Sequence, residues 1–347
     1  MITVDDVNDT WLDEINGIIA GCVSFVFNFA LIIATSRVKI YNESVKRLQI
    51  FGCVLRLLFS VSVILSSPTL AYITEAEAVY IVKGGFKLPN VIGTAILITF
   101  VTFVIFSCMG PPMQFLQVVI TVKKVSRFQH KTVFLTTFAS FLVSFTATVL
   151  LYNGYTPDIS DDRLSQEIVY NLNGKGQTAY LIASLERYDY ELDDWVPDHS
   201  AWACTLYILT VLVMSTVISV VCWVVIRCQM RKGGAAKSSN SVKSMQQLTT
   251  VLVVQFIIPF LTIHIPFYFS FLMPLFRFET THISIYLPYL FSWCPALNPI
   301  VVLIMVKSIR EKMFTRFGIR GSKTNGSSCN VVIKPKTTLS TLITDKS

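Results

Sequence analysis

The sequence predicts an all-α membrane protein, a bundle of seven transmembrane helices followed by a short amphipathic interfacial helix. Three observations carry this. Of the 347 residues, 53% are hydrophobic and only 14% charged, against about 25% charged in a soluble domain. The charges are bunched, which leaves seven apolar runs of 20 or more residues, each long enough for the roughly 20 residues that cross a bilayer as a helix. The segments between these runs alternate in sign.

Taken in order, segment 1–14 holds five acids and no base. It lacks the basic start of a cleaved signal peptide, so the first span, 15–36, is expected to insert uncleaved, held by Arg37 and Lys39. Further spans are expected at about 51–72, 90–119, 132–151, 203–226, 246–273 and 283–306. Only "PLFRFETTH" (274–282) divides the last two. Each run must be helical, because lipid offers no partner to an exposed backbone N–H or C=O.

Seven spans put the termini on opposite sides. With the N-terminus outside, the outer segments 1–14, 73–89, 152–202 and 274–282 hold 18 acids and 6 bases; the inner segments 37–50, 120–131, 227–245 and 307–347 hold 22 bases and 3 acids. Lys and Arg stay on the cytoplasmic side during insertion, so the N-terminus is expected outside and the C-terminus in the cytoplasm, in a multi-pass protein of the plasma membrane. Of three Asn-x-Ser/Thr sites, at Asn8, Asn42 and Asn325, only Asn8 would then meet the glycosylation machinery. The basic balance reads as inner loops against an anionic leaflet, with no nucleic-acid partner.

Two segments go beyond plain connection. The outer stretch 152–202 carries ten acids over 51 residues, too long for a simple loop, and reads either as a lid on the bundle or as a solvated collar. After the last span, Ile309, Met313, Phe314 and Phe317 recur at helical spacing among Lys307, Arg310, Lys312 and Arg316. That pattern predicts an interfacial helix over 307–318. The Ser/Thr-rich remainder, 319–347, is expected to be a disordered cytoplasmic tail where phosphates would set negative charge against the basic face.

Chemistry-bearing motifs are missing. Seven of the eight cysteines fall within spans or at their ends, where a thiol behaves as a small hydrophobe. There is no CxxC, HExxH or phosphate-binding loop, and the four histidines lack ligand spacing. No enzyme, metal or cofactor is expected.

Within this frame, "SMQQLTTVLVVQFIIPFLTIHIPF" (244–267) and "PALNPIVVLIMVKSIREKMF" (295–314) resemble the sixth and seventh spans of nematode serpentine chemoreceptors of the Str superfamily, which are G-protein-coupled receptors. The Gln247-Leu248 entry, mid-span Gln255 and Pro259, and a proline motif running into a Lys-Arg end carry the likeness. "NFALIIATSRVKIYNESVKRLQIF" and "GGFKLPNVIG" fit the first span and the start of the third. The resemblance implies a chemosensory, olfactory-type receptor in a sensory cilium that binds an external odorant or pheromone and signals to a heterotrimeric G protein. A dimer is compatible with it. The third span ends on "QVVITVKKVSRF" rather than on Asp-Arg-Tyr, and Asn298-Pro299 is followed by Ile300, Val301 and Val302 without a tyrosine.

Candidate residues follow from position. Polar and aromatic groups expected in the outer halves of the spans, Asn90, Thr94, Tyr207, His264, Tyr268, Tyr286 and Trp293, are candidates for a small-molecule pocket. Gln255, Pro259, Asn298 and Pro299 are candidates for a conformational switch, because proline removes one helical hydrogen bond and the Asn298 amide could serve the freed carbonyls; a static kink is the alternative. Lys123, Lys124, Arg127, Arg231, Lys232 and Arg310 are candidates for the G-protein face. Arg56, alone among charges within a span, either snorkels to the inner headgroups or faces the bundle and pairs with Asn298 or Gln114. A transporter or ligand-gated channel is the rival class, but the spans hold no Asp or Glu and the halves show no repeat.

Overall fold

The computed structural model describes residues 10–37, 43–74, 77–82, 90–122, 129–157, 179–189, 193–233, 239–275, 287–306 and 310. Its elements are α1 (Thr10–Arg37), α2 (Glu43–Ser66), β1 (Pro68–Thr74), β2 (Glu77–Val82), α3 (Asn90–Val122), α4 (Gln129–Tyr155), β3 (Tyr180–Ser184), β4 (Glu186–Asp189), β5 (Asp194–Pro197), α5 (His199–Gly233), α6 (Ser239–Pro259), a π-helical turn (Phe260–His264), α7 (Ile265–Leu275) and α8 (Leu287–Met305). The π turn joins α6 to α7 as one sixth span. Among the described residues, six of the spans are long and apolar enough to cross a membrane. The seventh, α8, has 19 residues, about 28 Å at 1.5 Å per residue, close to the hydrocarbon thickness. The protein is a multi-pass membrane protein.

Side chains sort by this environment. Phe134, Leu135, Phe138, Phe141, Leu142 and Phe145 stand exposed along α4, a surface that water would reject and acyl chains accept. Facing inward, Phe59, Phe100, Phe291 and Phe267 form a fully buried file, with successive ring centroids 5.8, 6.4 and 5.1 Å apart. They fill the half of the bundle nearest the strands.

The second span ends earlier than its apolar run suggests. Helix is expected to residue 72, but α2 stops at Ser66. Ser67 takes a positive φ of 35° and its N–H closes on Val63 O at 2.8 Å. Pro68, lacking an N–H and restricting the residue before it, cannot continue the helix. The chain leaves instead as β1, which pairs antiparallel with β2. β2 in turn pairs antiparallel with β3, Ile81 opposite Tyr180. Two inter-span loops thus share one sheet, and Tyr180, Leu181 and Ile182 of β3 are buried against the bundle end. This part of 152–202 is a cover rather than a collar; 158–178 and 190–192 lie outside the described residues. A second hairpin, β4–β5, leads to Asp198, whose Oδ1 accepts from Ser200 N at 2.8 Å and Ala201 N at 3.3 Å. This N-cap starts α5.

Prolines punctuate the helices without stopping them. Pro111 and Pro112 lie inside α3. Pro112 has no N–H for the carbonyl four residues earlier, that of Cys108. Ser215 of α5 donates its hydroxyl to that carbonyl at 2.6 Å, both residues being buried. The α3–α5 contact is therefore written by a backbone vacancy. Ser215→Ala should leave this buried acceptor unpaired and lower stability by about 1–3 kcal/mol, measured as earlier thermal unfolding of the purified protein in detergent. An unchanged midpoint would show the carbonyl satisfied in another way.

Candidate functional site

The site grows from a second proline vacancy. Pro299 cannot donate to the carbonyl of Pro295, one turn earlier in α8. Asn28 of α1 supplies the missing donor, its Nδ2 lying 3.0 Å from Pro295 O. The same amide group approaches Ser24 O at 2.9 Å and Ser24 Oγ at 3.0 Å. The other side of the amide, Oδ1, accepts from Arg56 Nε of α2 at 3.1 Å. Ser60 donates to Arg56 O at 2.8 Å and lies 2.6 Å from Ser24 Oγ. Three helices are thus tied through one carboxamide.

Arg56 stands ten residues from either end of the span Lys46–Ser66, about 15 Å from each, too far inside for its head to leave the core. It is 9% exposed. This corrects the snorkelling reading: Arg56 faces the bundle. Among the described residues it donates to Asn28 Oδ1 and to Cys53, with Nη2 3.3 Å from Sγ, and not to the expected Asn298 or Gln114. The chain folds this way because a cation at mid-span must face protein, and α1 offers one amide at matching depth.

Beside the guanidinium lies a cleft between α2, α3, α6 and α8, lined among others by Arg56, Ser107, Gln114, Gln255, Cys294 and Asn298. Its cavity volume is about 40 Å³, room for a few waters. Gln255 is 3% exposed and Asn298 9%. Among the described residues Gln255 Nε2 and Asn298 Oδ1 have no hydrogen-bond partner, so a donor without an acceptor and an acceptor without a donor belong to residues that line one space. Pro259 lines the same cleft, and the π turn starts directly after it. Ile265 N–H bonds back to Phe260 O across that wider turn, and such insertions cluster at functional positions.

Of the switch candidates, then, Gln255, Pro259 and Asn298 converge on the cleft, and Pro299 frees the carbonyl that Asn28 meets. The expectation that the Asn298 amide could serve that carbonyl does not hold. Asn28 does it, because its side chain arrives from the neighbouring helix at the height of the vacancy. Asn28 and Ser24 were missed, although they are polar groups four residues apart in the first apolar run, the spacing that places two side chains on one helical face.

The pocket candidates do not gather into one site. His264, 1% exposed, has Nδ1 3.2 Å from Thr216 Oγ1 of α5 and its ring 6.2 Å from that of Tyr268; these two belong together. Tyr207 turns away, its hydroxyl donating to Val143 O of α4 at 3.1 Å. Trp293 Nε1 donates to Asn16 Oδ1 of α1 at 2.9 Å, fastening α8 to α1. Thr94 is half-buried near the start of α3. Asn90 begins α3, with its side chain outside the described set, as is all of Tyr286.

On the opposite end, Arg231 is exposed and Arg310 is exposed with Nη1 2.9 Å from Ile304 O. Lys123, Lys124, Arg127 and the Lys232 side chain lie outside the described residues, as do Asn8, the tail 319–347 and all of 307–318 except Arg310.

A family model described as serpentine type 7TM GPCR chemoreceptor Str matches residues 14–314. The fold is similar to the crystal structure of squid rhodopsin, with a TM-score of 0.59 at 14% identity, covering 90% of this chain and 86% of that one. A comparison with curated protein sequences gives no match.

The carboxamide junction makes a quantitative ordering. Asn28→Leu strands both the Pro295 carbonyl and the Arg56 guanidinium, at about 1–3 kcal/mol for the first and more for the charged second. Asn298→Ala removes a side chain whose acceptor is unpaired and should cost much less. Thermal unfolding of the two purified variants reads the order directly, and a reversed order would mean the junction is not the anchor.

Proposed function

The chain belongs to the Str family of serpentine seven-transmembrane chemoreceptors, and from that premise we propose that it is a chemosensory G-protein-coupled receptor whose ligand is an external small molecule of odorant or pheromone type. The family and the rhodopsin-like bundle make it a receptor of the G-protein-coupled type. The ligand class and the coupling are our reading. One observation carries it: the break at Pro259–His264 lies in a span that both borders the central cleft and holds buried His264 against α5. A ligand shifts a two-state bundle only through its differential affinity for the two states. A span interrupted at mid-depth, with unpaired polar groups beside the break, is an element with a second arrangement within reach.

In this reading the ligand enters from the strand-covered end and engages His264 and Tyr268, with Thr94, Asn90 and Tyr286 as further contacts, while Tyr207 and Trp293 brace the surrounding helices against α4 and α1. Gln255, Pro259, Asn298 and Pro299 repack, and the change reaches a cytoplasmic face formed by Lys123, Lys124, Arg127, Arg231, Lys232 and Arg310. A segment over 307–318 lies along the headgroups as an amphipathic helix. The receptor sits in the plasma membrane of a sensory cilium with its N-terminus outside, as a monomer or a dimer.

Two experiments test this. Purified receptor in liposomes with a heterotrimeric G protein should accelerate nucleotide exchange on adding an active compound from a panel of volatile and water-soluble molecules. Neutralising Lys123, Lys124 and Arg127 together should cut that acceleration at least fivefold while ligand binding persists, since such charges steer association. Compound-dependent ion flux without exchange would replace the receptor by a channel.

Orientation is read from glycan. Expressed in animal cells, the wild type should shift in mobility on glycosidase treatment and Asn8→Gln should not. Glycan on Asn42 or Asn325 would reverse the assignment.

A further inference from the structure

Arg56 is a full positive charge at mid-span, and among the described residues its side chain donates to a carboxamide oxygen and a thiol, neither of which carries negative charge. None of the seven spans contains Asp or Glu between its ends, so no carboxylate lies at that depth to neutralise it. A charge held this deep in the bundle is costly unless a counter-charge is supplied. The cleft beside it is lined by further donors. Gln255, 3% exposed, reaches that lining with Nε2 lacking an acceptor. Ser107 offers a hydroxyl and Gln114 an amide. The Asn298 amide, whose Oδ1 is unpaired, can turn its NH₂ toward the same space, since the two ends of an amide are interchangeable in shape.

The lining also leaves room at the guanidinium. Gly52 is part of it, and a Cβ built there would sit 3.4 Å from Arg56 Nη1 and 3.8 Å from Nη2. A larger side chain at 52 would crowd the face of the charge; glycine keeps it open to the cleft.

We propose that this cleft is a binding site for a compact monovalent anion, held by the Arg56 guanidinium and the Gln255 amide and clasping α2 to α6. The chemistry is that of a halide ion or of a carboxylate group on a small ligand, single in charge and small enough for the space of a few waters. The site stands independently of the receptor reading, because it requires only a folded bundle.

The test uses full-length protein in detergent, with thermal unfolding followed by tryptophan fluorescence at constant ionic strength. Sodium gluconate is the reference salt, its anion too large to enter, and it is replaced stepwise by chloride, bromide or formate. The midpoint should rise saturably with at least one of the small anions. A rise with halides identifies a free ion, and a rise with formate alone identifies the carboxylate of a ligand. Arg56→Gln should abolish the rise. Gln255→Leu, which removes a donor that is unsatisfied when the site is empty, should fold at least as well as wild type in gluconate and need at least fivefold more anion for the same rise. The proposal is overturned if wild type unfolds at one temperature in all four salts, or if Gln255→Leu responds with unchanged anion dependence.

Discussion

A proline in a helix leaves a carbonyl that something must answer, and in a bilayer core the answer cannot be water. Two of the interhelical bonds that hold this bundle in register follow from that constraint. Pro299 opens the carbonyl of Pro295 and Asn28 closes it from α1; Pro112 opens the carbonyl of Cys108 and Ser215 closes it from α5. Each repair is an interhelical bond fixed in height along both helices, which close packing of apolar faces alone would not provide. Lipid tails are as apolar as leucine, so burial gives little drive to associate or to align. Backbone vacancies supply alignment instead.

The carboxamide of Asn28 shows how one repair recruits a second function. With its NH₂ engaged at α8, its oxygen is left pointing at α2, and only a donor of matching depth can satisfy it. Arg56 does so, and Ser24 and Ser60 close the circuit around it. A charged residue that would be a liability facing lipid becomes a strut. The cleft next to it, the broken sixth span and the buried His264 lie beside this junction, so a rearrangement of α6 and α7 can occur against α1 and α2 held in register.

Much of this architecture was legible in the sequence, and the reasons differ element by element. Length and hydropathy are properties of single segments, so the apolar runs stood out without knowledge of partners. Pro259 and Asn298 were legible for the same reason: each is a polar or backbone-breaking residue in an apolar run. What escaped is pairwise. Asn28 and Arg56 could each be noticed, but their match depends on the relative height of two helices. The extent of 51–72 failed differently, because hydropathy does not distinguish a helical from an extended apolar stretch, and "SSPTLAYIT" is apolar enough for either. The pairing of β2 with β3 carries no local signature at all.

That last pairing has a consequence for biogenesis. Ile81 meets Tyr180, and the third and fourth spans lie between them in the chain. At about 5–20 residues per second of synthesis, roughly 5–20 seconds pass after the ribosome completes β2 before β3 exists. Throughout that interval α1 and α2 can already be in the membrane while the β1–β2 hairpin presents an open edge to whatever surrounds it. The sheet closes only when α3 and α4 have both been threaded, which makes it a late clasp that registers the arrival of four spans.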